Sequence, residues 1–237
     1  MDLGQDGGIA ANGFLRALPP ESLARLRPHL EPVELVRHQR IYAPGADAAF
    51  VYFLARGLVS LVKTMSDGRL VEVGAIGVEG VVCLSSLLGL PEAVLESLVQ
   101  IPGTGYRIKA TVFRDEAARD ASLRQLVARY ANASISQLAQ ASACNRLHSL
   151  EQRCCRWLLT AHDNARANTF QLTHEFLALM LGVQRPGVSI TARGLQQAGL
   201  IEYQNGRVTI TDRDGLEAAA CECYGTVRSQ LSDFQPG

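Results

Sequence analysis

The sequence predicts an α+β fold in three parts, which are a β-roll, one long helix and a C-terminal helical domain with a hairpin. Three observations predict it. Residues 14–112 hold short segments rich in β-branched and aromatic residues between recurring glycines. Residues 113–142 contain neither glycine nor proline. Residues 143–237 contain two helical segments, joined at a glycine and followed by an Asn-Gly turn.

Composition limits the classes of protein that fit. The 237 residues are 47% hydrophobic and 19% charged, which allows a sizeable core and argues against global disorder. The 23 basic and 23 acidic residues cancel, which argues against a histone-like protein that binds nucleic acid through bulk charge. A local basic face remains compatible with this balance.

The first thirteen residues lack the basic and apolar regions of a signal peptide. We expect residues 1–13 to form a flexible arm. No apolar run reaches the roughly 18 residues of a membrane helix. A cytoplasmic protein with no membrane partner is therefore expected, with its six cysteines reduced.

Residues 14–112 predict a short helical entry followed by a sandwich or barrel-like sheet. Leu23, Leu26 and Leu30 share one face of the entry. Asp67-Gly68 between two apolar segments is typical of a hairpin turn.

Residues 113–142 predict one long helix, and two roles remain open for it. Its apolar positions alternate in spacing between three and four, as in a coiled coil, which favours a dimerisation helix. The alternative is that the helix packs against its own β domain. The predicted dimer positions are Leu123, Val127, Tyr130, Ser134, Leu138 and Ala141.

The C-terminal part begins with a helix over residues 145–163, for which Asn145 is a candidate N-cap. Thr173 is predicted to cap the next helix, and Gly182 to turn the chain sharply. Pro186 fits the first turn of a following helix, where its missing N–H has no partner.

This following helix should end at Gly199, and Asn205-Gly206 predicts a type I′ hairpin. Thr211 is the candidate cap of one last helix over residues 212–224.

Two helices, a tight turn and a hairpin make a winged helix-turn-helix, a motif that inserts its second helix into the major groove of DNA. Gln184, Arg185 and Ser189 lie near the groove-entering end and are the candidate base contacts. A helical hairpin without a DNA role remains the alternative. The candidate phosphate contacts are Thr173, His174, Arg193 and Arg207.

The chain resembles the Crp/Fnr superfamily of bacterial transcription regulators. The resemblance is carried by LTHEFLALMLGVQRPGVSITARGLQQAGLI (172–201) and CNRLHSLEQRCCRWLL (144–159), and it extends over about residues 14–224. It implies a β-roll like that of cyclic-nucleotide-binding domains (a jelly roll). It also implies a homodimer on double-stranded DNA with a near-palindromic operator, and contact with RNA polymerase if the protein activates transcription.

The resemblance also implies residue roles in DNA recognition. Known members read bases through an Arg-Glu pair and a second Arg one turn later. Arg185 matches the first Arg, whereas Pro186 and Ile190 replace the Glu and the second Arg. Arg193 matches a phosphate contact. The docking mode should therefore carry over, with a different base preference.

The β domain departs from the pattern of cyclic-AMP-binding members, which hold the phosphate with Gly-Glu and Arg-Ser. Gly80 is followed by Val81-Val82, and Glu96 precedes Ser97. Glu96 stands where those members have the arginine, and its carboxylate would repel the phosphate. We therefore expect no response to cyclic AMP. The effector is unknown, and its candidate pocket consists of Gly80, Val82, Leu84, Glu96 and Ser97.

The cysteine pattern predicts no cofactor or metal. Cys154 and Cys155 are adjacent, and no second close pair accompanies Cys221-Glu222-Cys223, so buried free thiols are expected. No histidine is marked as a haem ligand.

Two function classes compete with a DNA-binding regulator. The first is a ligand-binding regulatory module whose C-terminal domain binds protein. The second is an enzyme, for which the sequence contains no known catalytic motif. A non-enzyme is therefore expected.

Overall fold

The structure is a computed structural model, and it describes residues 5–165 and 167–235. They divide into two compact units. The first contains residues up to 61, residues 75–136 and those from 230 onward, and the second contains residues 62–74 and 137–229. The predicted α+β fold class is confirmed: an antiparallel β region precedes long helices and a helix-turn-helix.

The main sheet has the strand order β1-β6-β3-β4, with β2 paired to β6 and β5 paired to β3. In the β1–β6 pair, Glu31 lies opposite Arg107 and Leu35 opposite Gly103. The predicted Asp67-Gly68 turn joins β3 to β4, and Gly68 has a φ of 83°. The strands are β1 (Glu31–Leu35), β2 (Arg40–Tyr42), β3 (Phe50–Thr64), β4 (Leu70–Ile76), β5 (Val81–Val82) and β6 (Glu96–Lys109).

The helices around this sheet include the predicted helical entry. A 3₁₀ turn at Arg27–His29 follows the entry helices, and a second one at Ser232–Phe234 lies near the end of the chain. The helices are α1 (Gln5–Ala10), α2 (Gly13–Arg16), α3 (Pro20–Leu26), α4 (Leu84–Leu87), α5 (Ala110–Arg119) and α6 (Ala121–Leu147).

The prediction of a flexible arm over residues 1–13 is wrong for residues 5–13. Asn12 is fully buried, and its side-chain amide donates to the carbonyls of Leu54, Val78 and Gly80 at 2.8–3.2 Å. A buried amide with this many partners fixes the backbone around it. Residues 1–4 lie outside the described residues.

An aromatic cluster forms the centre of the first unit. Phe14 lies 5.9 Å from Phe53 and 5.6 Å from Tyr130, measured between ring centroids, and stacks on Phe234. Phe113 completes the cluster. Phe14, Phe53, Phe113 and Phe234 are at most 1% exposed. Phe14, near one end of the described residues, and Phe234, near the other, therefore share one core.

The long helix predicted over residues 113–142 is interrupted at Asp120. This residue ends α5, and its Oδ1 accepts hydrogen bonds from the backbone N–H groups of Ser122 and Leu123, which caps α6. Oδ2 binds Ser22 and Arg25, and these bonds, led by that of Ser22, hold the pKa of the carboxyl below its usual value. Helix α6 then continues to Leu147, five residues beyond the predicted end.

The dimer positions predicted on α6 need correction. Leu123, Val127 and Tyr130 are buried in the core of their own chain. The hydroxyl of Tyr130 accepts from the N–H of Val81 at 2.8 Å. Ser134 and Leu138 are half-buried. The first half of α6 therefore packs on its own β domain, which is the alternative that the sequence left open.

The second unit contains the remaining elements. Among the described residues, no helix combines the length and the apolar character that a membrane span requires. The elements are α7 (Leu150–Ala165), β7 (Thr169–Gln171), α8 (His174–Leu181), α9 (Arg185–Gln197), β8 (Ile201–Gln204), β9 (Arg207–Ile210), α10 (Arg213–Ala219) and α11 (Cys223–Gln230).

Two helix starts in this unit differ from the prediction. Ser149, not Asn145, caps α7: its hydroxyl accepts from the N–H of Gln152, whose side chain accepts from the N–H of Ser149. Asp212, not Thr211, caps α10 through the N–H of Gly215. The single last helix predicted over residues 212–224 is divided into α10 and α11.

Candidate nucleic-acid interface

The turn between α8 and α9 has the geometry that the sequence predicts. The hydroxyl of Thr173 accepts from the N–H of Phe176 at 3.2 Å and caps α8. Gly182 ends α8 with a φ of 64°, a left-handed conformation that glycine adopts without strain. Gln184 is the N-cap residue of α9, and Pro186 lies in its first turn. These local signals therefore fix where each helix begins and ends.

One face of α9 holds the helix in place. Val188, Ala192 and Leu195 are spaced by four and three residues and are at most 2% exposed. From α8, Leu177 and Leu181 are buried as well. These apolar side chains fix the angle between the two helices.

A second side of α9, next to the buried face, is largely exposed. Arg185, Ser189 and Arg193 follow one another at intervals of four, so they lie on one side of the helix. Gln184, Arg185 and Arg193 are exposed, and Ser189 is half-buried. Ile190 is 71% exposed on the same helix. The guanidinium groups of Arg185 and Arg193, together with the exposed N-terminus of α9, suit an anionic partner.

His174 links three elements of the site. Its Nδ1 lies 3.0 Å from the Ser189 hydroxyl of α9, and its ring centroid lies 4.3 Å from that of Tyr203 in β8. Burial, and then the charge of Arg185, lower the pKa of His174 below its usual value. The His174 ring, itself one of the predicted phosphate contacts, joins α9 to the hairpin.

The hairpin after α9 has the predicted type I′ turn, with positive φ at both Asn205 (51°) and Gly206 (72°). Arg207 is exposed beside the turn. Strand β7, which the sequence analysis missed, pairs with β9 to complete a three-stranded sheet in the order β7-β9-β8. Three residues, Thr169–Gln171, offer too short a pattern to predict a strand.

Sequence reasoning also missed two residues that support the site. Arg153, which is 8% exposed, donates from its guanidinium to the carbonyl of Leu181 at the end of α8. Tyr203 donates its hydroxyl to the carbonyl of Leu172. Both contacts join residues about thirty positions apart, so no local pattern indicates them.

The five candidate effector-binding residues of the β domain differ in burial and in their partners. Val82 is fully buried in an apolar cluster with Leu54 and Val99. Gly80 and Ser97 are buried, and Leu84 is half-buried. Glu96 forms an ion pair with Arg40, with Nε and Oε1 2.7 Å apart. The five candidate residues thus include part of a buried apolar strand and a carboxylate that has a cationic partner.

One protein-family model matches part of the second unit. Residues 152–219 match the family model of the Crp-like helix-turn-helix domain. No curated protein sequence matches the chain.

Solved structures share the fold at low sequence identity. A protein described as a transcriptional regulator of the crp/fnr family from Eubacterium rectale is 18% identical, with a TM-score of 0.69 over 88% of this chain and 98% of that one. TTHB099, a CRP-family transcriptional regulator from Thermus thermophilus, is 22% identical, with a TM-score of 0.65 over 79% and 96%. FixK2 from Bradyrhizobium japonicum is 15% identical, with a TM-score of 0.63 over 81% and 98%.

Proposed function

Since residues 152–219 match the Crp-like helix-turn-helix domain and the chain shares its fold with crp/fnr-family regulators, we propose that it is a sequence-specific DNA-binding transcription regulator of the Crp/Fnr type. The observation that carries the proposal is α9, whose exposed face presents Gln184, Arg185 and Arg193 while its other face is locked into the core. A regulator of this kind acts in the cytoplasm and is not an enzyme. If it activates transcription, it also contacts RNA polymerase.

The predicted DNA contacts have two roles. Gln184, Arg185 and Ser189 read base edges in the major groove, since Arg pairs bidentately with guanine and Gln with adenine. The hydroxyl of Ser189 forms a hydrogen bond with a base edge while it remains in contact with Nδ1 of His174. The exposed residues Thr173, Arg193 and Arg207 contact phosphates, which fix register. The sequence also predicts His174 as a phosphate contact, but its Nε2 is buried and its Nδ1 faces Ser189, so we assign it to holding α9 in place.

Ile190 and Pro186 add no hydrogen bond to the bases. Both are exposed on the first two turns of α9, where an apolar side chain can contact only a thymine methyl or the sugar. Fewer polar contacts leave more of the specificity to DNA deformability. We therefore expect an operator unlike that of the cyclic-AMP-responsive regulators.

The β domain is proposed not to respond to cyclic AMP. Glu96 places a carboxylate, paired with Arg40, next to Ser97, and this carboxylate would repel a cyclic phosphate. Val81 and Val82 are fully buried at the positions that follow Gly80, where the cyclic-AMP-binding members carry the glutamate of their Gly-Glu pair. An effector of this domain would be an apolar or weakly charged molecule bound by Gly80, Val82, Leu84, Glu96 and Ser97.

The protein is proposed to act as a homodimer through a face of α6 different from the one that the sequence predicted. Ile135 is 63% exposed on this helix. Exposed residues on either side of it alternate in spacing between three and four, which is the seam of a coiled coil. Small residues along the seam let two helices approach closely. The seam consists of Ala128, Asn132, Ile135, Ala139 and Ser142.

The Ile135→Glu variant tests this dimer. Two glutamates facing each other at the centre of the seam should convert the dimer to a monomer in light scattering. Because two linked half-sites bind far more tightly than one, the variant should also lose at least about a hundredfold in affinity for operator DNA. Val94→Glu, at a residue 66% exposed in the β domain, is the control and should leave both measurements unchanged. A stable Ile135→Glu dimer would contradict the proposed seam.

A further inference from the structure

Four side chains capable of binding a metal converge in the second unit. Cys144 and His148 lie one turn apart near the end of α6, and Cys221 and Cys223 flank the start of α11. Their Sγ and imidazole nitrogen atoms all lie within 4.8 Å of one another. The break between α10 and α11, which the sequence did not predict, brings Cys221 and Cys223 to this position. We call these four residues the Cys₃His cluster.

The spacing within the Cys₃His cluster fits tetrahedral coordination. Zn–S bonds of about 2.3 Å at tetrahedral angles place two sulfurs about 3.8 Å apart. The Sγ atoms of Cys144 and Cys221 are 3.6 Å apart, and Cys223 Sγ lies 3.5 Å from Nδ1 of His148. Only modest movements are therefore needed to place one ion at bonding distance from all four atoms.

The neighbours of the cluster orient its members. Nδ1 of His148 faces Cys223, while Nε2 lies 3.1 Å from Oε2 of Glu222. A carboxylate on the outer nitrogen is the usual partner of a zinc-bound histidine, because it fixes the ring and strengthens the inner nitrogen as a donor. Gln140 donates an N–H to Cys223 Sγ at 3.0 Å. Hydrogen bonds of this kind stabilise thiolates.

Two arginines, Arg153 and Arg156, add positive charge beside the cluster. The three sulfurs are at most 4% exposed. The Nε groups of Arg153 and Arg156 are buried and have no hydrogen-bond partner among the described residues. Three thiolates and Zn²⁺ carry a net charge of −1, which these arginines offset.

We propose that Cys144, His148, Cys221 and Cys223 form a structural zinc site that fastens the end of α6 to the start of α11. Four protein ligands fill the tetrahedral shell, so no position is left for water or substrate, as in structural rather than catalytic zinc sites. Soft thiolates with one imidazole select Zn²⁺ over Mg²⁺ or Ca²⁺. The proposal is independent of DNA binding.

Metal analysis of the full-length protein, purified under reducing conditions and supplied with zinc ion, tests the proposal. We expect about one zinc per chain after desalting, as the four ligands of one closed site require. Titration of the zinc-free protein with cobalt ion should give the visible d–d bands of tetrahedral cobalt and a near-ultraviolet thiolate-to-cobalt band. These spectra need no variant, so they test the site even where a substitution impairs folding.

Variants then assign the ligands. Cys144→Ser and His148→Ala should lose most of the bound zinc, while Cys83→Ser, which removes a buried thiol of the other unit, should retain it. Glu222→Gln should bind zinc about 10- to 100-fold more weakly in competition with a chromophoric chelator. Glu217→Gln, at an exposed residue of α10, should not change the affinity.

Three results would overturn the proposal. The first is a folded, reduced protein that binds neither zinc nor cobalt stoichiometrically. The second is zinc retained equally by the wild type, Cys144→Ser and His148→Ala. The third is a Cys144–Cys221 disulfide that forms in glutathione buffer despite the presence of zinc ion.

Discussion

The Arg185→Ala variant is expected to lose at least about thirtyfold in affinity for its operator. A bidentate Arg–guanine pair contributes about 1–3 kcal/mol of discrimination, and a dimer makes two such pairs, so the total loss is about 2–6 kcal/mol. Arg185 is exposed at the first position of α9, which is held by a buried apolar face, so the substitution should leave the fold unchanged. A gel shift with operator and with scrambled DNA measures both affinity and specificity.

Two other arginines provide matched controls for Arg185. Arg193→Ala should weaken binding to operator and to scrambled DNA by similar factors, and should reduce the salt dependence by about one phosphate per site. Arg119→Ala removes an arginine whose side chain is 77% exposed on α5, and it should have no effect. If Arg185→Ala and Arg193→Ala both bind like the wild type, α9 does not read DNA, and a domain that binds protein becomes the better account.

The Phe14→Ala variant is expected to lose about 3–5 kcal/mol of the free energy of unfolding, because it leaves a cavity in a packed aromatic core. Phe14 is fully buried and contacts the rings of Phe53, Tyr130 and Phe234. Its contact with Phe234 joins the start of the chain to its end. Urea denaturation of the full-length protein, followed through near-ultraviolet circular dichroism, measures the loss of unfolding free energy.

Leu88→Ala is the control for Phe14, since Leu88 is 53% exposed and its loss should change the unfolding free energy by about 0.5 kcal/mol or less. A loss below about 1 kcal/mol for Phe14→Ala would contradict the packing of the N-terminal helices described here.

The parts of the fold that the sequence predicted depend on short-range chemistry. The cap at Thr173, the turn at Gly182, Pro186 in a first helical turn and the Asn205-Gly206 hairpin each involve residues no more than four positions apart. Such signals are visible in the sequence because they satisfy local backbone groups.

Two errors at helix ends were avoidable from local signals. Ser149-Leu-Glu-Gln152 is a capping box, with the serine and glutamine in the required positions, and it marks the start of α7 better than Asn145 does. Asp120 is a good N-cap residue within a run of otherwise helical residues, and it marks where α5 ends and α6 begins. Since neither glycine nor proline interrupts the run, hydrophobic periodicity alone gave one helix instead of two.

The remaining errors involve long-range contacts. Tyr130 fits a dimer seam by its spacing, but its partner is Val81, 49 residues earlier. Cys144 and Cys221 are 77 residues apart and meet only because the last predicted helix divides. A periodic pattern shows that a face is apolar, but it does not show whether that face meets the same chain or another one.

Footprinting of operator DNA tests whether the protein reads DNA as a dimer with two α9 helices. DNA selected from a random pool by the wild-type protein, then cleaved by hydroxyl radical in the complex, should be a near-palindrome. It should show two protected half-sites centred about 34 Å apart on one face, one turn of B-DNA. The account would be contradicted by a single unpaired half-site, or by failure of the dimeric protein to enrich any sequence.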